Sequence, residues 1–63
     1  MITKLENFQV GDLVFDHIDR DYGIVLKILF LNSTPAIAQV YWIDGIVIGQ
    51  TTTRHIEFLR KMD

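Results

Sequence analysis

Cysteine is absent from this 63-residue chain, which excludes a disulfide framework and any zinc site built on thiolates. A domain of this size buries only about 60% of its unfolded surface, and its core alone leaves little net stability. Without those staples, oligomerisation or docking on a partner is the remaining one. A surplus of positive charge is missing too. Six Lys and Arg stand against eight Asp and Glu, giving a formal charge of −2 and a pI near 5.5. The basic residues are scattered, with only Arg60 and Lys61 adjoining, whereas nucleic-acid binders usually carry a basic stripe or a pI above about 9. Long apolar runs are lacking: Ile28 to Leu31 falls far short of the roughly 20 residues that span a bilayer. Met1-Ile2-Thr3-Lys4-Leu5-Glu6 has no secretory apolar core, so the expectation is a cytoplasmic protein with no membrane contact. Helical spacing, repeats, low-complexity tracts and linkers are also missing, which leaves a single domain over residues 1–63.

The composition that remains is rich in apolar residues, 49% with a mean hydropathy of +0.23. Its centre is the stretch from Ala36 to Gln50, where two β-prone runs flank Asp44-Gly45, a strong hairpin signal. With Asp44 and Gly45 as a two-residue turn, Ile43 faces Ile46, Trp42 faces Val47, Tyr41 faces Ile48 and Val40 faces Gly49. One face then carries Ala38, Val40, Trp42, Val47 and Gly49. The other carries Tyr41, Ile43, Ile46 and Ile48. Both are apolar, although a small barrel has only one inside.

Upstream, Leu5 and Phe8 are candidate core anchors, Gly11-Asp12 is turn chemistry, and Leu13-Val14-Phe15 is a short strand. Asp16 to Asp21 reads as a solvated acidic loop. Tyr22 to Leu31 is the longest strand candidate and is apolar on both sides, which predicts a bend near Lys27 that turns its two halves differently. Asn32-Ser33-Thr34-Pro35 is a loop holding the only proline. Downstream, Thr53 is a candidate cap for a helical turn through Arg54-His55-Ile56, with Glu57 in its first turn. Phe58-Leu59-Arg60 is a last strand, and Lys61-Met62-Asp63 a tail.

The succession of five short strands, with one 3-10 turn before the last, resembles the SH3-like small β-barrel. The residues that carry the likeness are Val10-Gly11-Asp12-Leu13-Val14, Tyr22-Gly23-Ile24-Val25, Val40-Tyr41-Trp42-Ile43-Asp44-Gly45 and His55-Ile56-Glu57-Phe58-Leu59. The same order is similar to that of small uncharacterised proteins of tailed bacteriophages. The resemblance implies an all-β, five-stranded SH3-like barrel, a phage origin and an infected-cell compartment. The barrel hosts many unrelated roles, so function has to be argued from sites.

The sites narrow as follows. Asp12, Asp16, Asp19 and Asp21 do not follow the calcium-loop spacing, and no metal or cofactor is expected. His17 and His55 lie near no nucleophile candidate, so no catalytic residue is assigned and an enzyme is not expected. Trp42 is read as core rather than as a base-stacking platform. The surplus patch Tyr41, Ile43, Ile46 and Ile48 is either covered within the monomer or forms an interface. Taken as an interface, it makes the chain a small interaction or structural protein, either a homo-oligomer or bound to a host or virion protein. The alternative is a weak nucleic-acid module using Lys27, Arg54, Arg60 and Lys61.

Overall fold

A computed structural model describes residues 8–62. Five strands form one antiparallel sheet: β1 (Leu13–Asp16), β2 (Asp21–Leu31), β3 (Thr34–Asp44), β4 (Thr51–His55) and β5 (Leu59–Lys61). A 3-10 turn, Ile56–Phe58, precedes β5. The order across the sheet is β4-β3-β2-β1-β5, a four-strand meander whose last strand returns beside the first. The chain is therefore all-β as expected, with the 3-10 turn before the last strand. The sheet is coiled but not closed, since β4 and β5 remain its two edges. That arrangement is consistent with a small barrel-like fold.

The coiling comes from irregular register between β2 and β3. Val25 pairs Val40 and Lys27 pairs Gln39, which leaves Leu26 as an extra residue, and further shifts fall at Tyr22/Gly23 and Leu29/Phe30. Such bulges bend a strand and increase its twist. The bulge at Leu26 is the bend expected near Lys27. Before it Val25 is fully buried, and beyond it Ile28 packs against the core. That core consists of Phe8, Val14, Val25, Ala38, Val40, Trp42 and Leu59. Phe8 thus serves as an anchor, whereas Leu5 lies outside the described residues.

Two turns differ from expectation. The tight hairpin turn is at Asn32-Ser33, where Leu31 pairs Thr34 and both turn residues have positive φ, 52° and 67°, as a two-residue hairpin of this hand requires. Thr34 and Pro35 therefore belong to β3 rather than to a loop. Asp44-Gly45, by contrast, is not a two-residue turn. Val40 faces Thr52 and Tyr41 faces Thr51, so the register is offset by three residues and Ile46, Val47 and Ile48 lie in the connection instead of on a strand. An odd offset exchanges the faces of the whole strand: Thr52 and Arg54 come inside, where the two-residue turn would have put them outside. Two interactions reward that exchange. The Trp42 indole N–H donates to Thr52 Oγ1 at 2.7 Å, and Arg54 reaches Asp16 at 2.9 Å. The connection itself is closed by Trp42 N–H to the Gln50 carbonyl (2.9 Å) and Gly49 N–H to the Trp42 carbonyl (2.8 Å). Room beside Val40 is supplied by Gly23 rather than Gly49, because a Cβ at Gly23 would meet Val40, Trp42 and the Tyr41 carbonyl oxygen.

The helical turn also starts later than expected. Thr53, Arg54 and His55 continue β4. His55, extended at φ −66° and ψ 138°, takes the N-cap position without a side-chain cap bond, and Glu57 is the acidic residue of the first turn. Lys61 belongs to β5, and Met62 N–H donates to the Leu13 carbonyl.

Candidate functional site

The segment between β1 and β2 is built around one carboxylate. Asp16, 1% exposed, accepts on Oδ1 from the backbone N–H groups of Ile18 (2.8 Å) and Asp19 (3.2 Å). These bonds fold residues 17–20 into a turn, as Asp side chains do when they bond to backbone a few residues on. Its Oδ2 accepts from Arg54 Nε at 2.9 Å. The guanidinium also lies 3.7 Å from Asp19 Oδ2, donates to Thr52 Oγ1 at 2.7 Å, and sits 5.0 Å over the Trp42 ring. Asp16 and Asp21 are partners across the β1–β2 ladder. Asp21, also 1% exposed, accepts from Ile46 N–H at 3.0 Å. Gly45 packs so tightly on the Asp21 carboxylate that its position has no room for a Cβ. The expectation of a solvated acidic loop is thus corrected: two of its three aspartates are interior and hold the ends of other elements. Arg54, whose inward position follows only from the observed β3–β4 register, gave no sequence signal for this burial.

Burial pushes the Asp16 carboxyl upward, but the Ile18 and Asp19 amides and the Arg54 guanidinium outweigh it and hold the group below its ordinary 3.8. The folded state therefore holds fewer protons than the unfolded state near that value. The stabilisation is complete above the unfolded-state pKa and is lost as pH falls through the lower, folded one. The thermal midpoint is expected to decline as pH drops below about 4, and Asp16→Asn should flatten this acid limb. A limb unchanged in Asp16→Asn would assign it to other carboxylates.

The apolar patch is at the surface. Tyr41 is 42% exposed, Ile43 44%, Ile46 87% and Ile48 62%. Val47, between the last two, turns inward and packs against the core. Tyr41 shares an outward row with Ile24 of β2 and Thr51 of β4. A second exposed apolar group lies at the other end of β2, where Leu29, Phe30 and Leu31 surround the Asn32-Ser33 turn. The unbroken run Ile28–Leu31 was its sequence signal, but reading it as strand interior hid that the hairpin tip outruns the core.

The basic residues are placed differently from one another. Arg54 is turned inward on Asp16, and Lys61 Nζ lies 3.6 Å from Asp12 Oδ2. Lys27 is exposed opposite Gln39, and Arg60 is exposed opposite Phe15. His17 approaches the Glu57 carbonyl at 3.4 Å, and His55 meets the Phe58 ring edge-on. Among the described residues neither imidazole is hydrogen-bonded to a hydroxyl, and no helix is long and apolar enough to cross a membrane. No protein-family model, curated protein or solved structure matches this chain.

Proposed function

We propose that the protein is a non-enzymatic interaction module that works by self-association, the occupant of its apolar face being a second copy of the chain. The observation that carries this reading is the outward exposure of Tyr41, Ile43, Ile46 and Ile48 on a chain otherwise too small for a large core. None of the four is ionised, so a two-fold contact through them brings no like charges together, and the formal charge of −2 adds little repulsion. The patch adjoins the β4 edge. Among the described residues β4 pairs only with β3, and its outward side chains include Thr51 and Thr53, neither charged. The strand has neither proline nor bulge to block edge pairing, and its charged Arg54 is turned inward on Asp16. A two-fold axis there would join the two sheets and bring Tyr41 of each copy toward the other's patch, with Tyr41 as an anchor of the kind that dominates interfaces.

The test is the double substitution Ile46→Lys and Ile48→Lys. Both side chains are largely in solvent, so the fold should be retained. Dimerisation is expected to weaken at least about tenfold, equivalent to about 1.4 kcal/mol. A double variant of unchanged mass and far-UV spectrum would overturn the reading.

A further inference from the structure

The geometry points to a divalent-cation site formed by Asp16, Asp19 and Asp21. One carboxylate oxygen from each lies within 4.8 Å of the other two. Clustering alone would mean little, because exposed acids often gather without an ion. The decisive feature is Asp21. Its Oδ1 accepts from Ile46 N–H, but its Oδ2 is buried and has no hydrogen-bond partner among the described residues. A buried carboxylate oxygen left bare is costly. The neighbouring acids cannot relieve it, since ionised carboxylates only accept. Nor does Arg54 reach it, being committed to Asp16 Oδ2, Asp19 Oδ2 and Thr52.

The charges lead to the same conclusion. Three carboxylates meet one guanidinium, which leaves a local charge of −2, the complement of a divalent ion. Calcium–oxygen bonds of about 2.4 Å allow ligand oxygens to stand up to about 4.8 Å apart, so the three carboxylates can be accommodated round one divalent ion. Asp19, whose side chain is 53% exposed, leaves the cluster open on one side, giving the ion an entry path and room for water ligands. The linear spacing is unlike a calcium loop because the ligands are assembled by a β-ladder: Asp16 and Asp21 face each other across β1 and β2, and Asp19 comes from the turn between them.

Manganese, a paramagnetic stand-in with the same preference for oxygen ligands, provides the test. On isotope-labelled protein, substoichiometric MnCl2 is expected to broaden the amide signals of Ile18, Asp19, Asp21 and Ile46 first, while those around Asn32 stay sharp. Excess CaCl2 should restore them and raise the thermal midpoint. Asp21→Asn keeps an acceptor for Ile46 N–H, and Asp19→Asn alters an exposed side chain, so one of the two remains informative if the other fails to fold. Each is expected to weaken binding at least tenfold. Three results would overturn the inference: no broadening, broadening spread equally to exposed carboxylates such as Asp44 and Glu57, or broadening that calcium does not reverse or that survives both substitutions.

Discussion

Asp16→Ala is expected to lower unfolding stability by about 3 kcal/mol, the scale for removing one partner of a buried ion pair. Alanine at 16 leaves the Ile18 and Asp19 N–H groups without their acceptor and strips Arg54 of its nearest anion. The guanidinium cannot simply be withdrawn, because it is stacked on Trp42 and bonded to Thr52. Only Asp19, 3.7 Å away and half in solvent, remains beside it. For a chain this short, total stability by the usual per-residue scale is about 3–9 kcal/mol, so the variant should lose a third or more of its urea midpoint or fail to fold. Asp16→Asn keeps an acceptor for the turn amides and should cost less than half as much. Chemical denaturation at neutral pH makes the comparison. An Asp16→Ala midpoint equal to the parent's would mean that the Asp16–Arg54 pair does not hold β1 to β4.

The second large effect is at Trp42. It is fully buried, close against Gly23 and with the guanidinium of Arg54 over its ring. Trp42→Ala should cost about 4 kcal/mol through lost burial and the cavity left behind, from about half to the whole of the stability expected for a chain this short. It also removes the donor to Thr52 and with it one of the contacts that set the β3–β4 register. Trp42→Phe separates these contributions, because it keeps most of the apolar volume but leaves Thr52 Oγ1 without the indole N–H. It is expected to remain folded with a loss of about 1–2 kcal/mol. Near-parental stability in Trp42→Ala would contradict a core centred on this residue.

Strand placement was legible in the sequence because alternation and turn residues are local signals. Val40 and Trp42 could be assigned inward from the alternation along β3, whereas the facing of Val14 and Val25 stayed open and the surplus side of β3 read equally as covered or as an interface. The bend near Lys27 followed from a strand apolar on both sides. The β3–β4 register was not legible, because it is decided by contacts far apart in the chain. Asp44-Gly45 offers a two-residue turn, but Asp21 captures Ile46 N–H, Trp42 captures Thr52, and Asp16 captures Arg54. Each pairing links residues ten to thirty-eight positions apart, and together they outweigh a local turn preference. The burial of Asp16 and Asp21 was hidden for the same reason: an aspartate-dense stretch reads as solvent-facing until its inward partners are known. Ile46 and Ile48 remained outward for a different cause than foreseen. They lie on a six-residue connection rather than on a strand, and only Val47 between them is drawn to the core.

The measurement closest to the central claim is the solution mass, by light scattering after size exclusion over a concentration series, on the parent chain and on the Ile46→Lys, Ile48→Lys variant. Self-association through the Tyr41, Ile43, Ile46 and Ile48 patch requires a parent mass of twice 7.3 kDa that falls toward the monomer on dilution, and a variant that does so at a concentration at least about tenfold higher. A parent chain that stays monomeric at every concentration, or a variant that dimerises equally well, would contradict it.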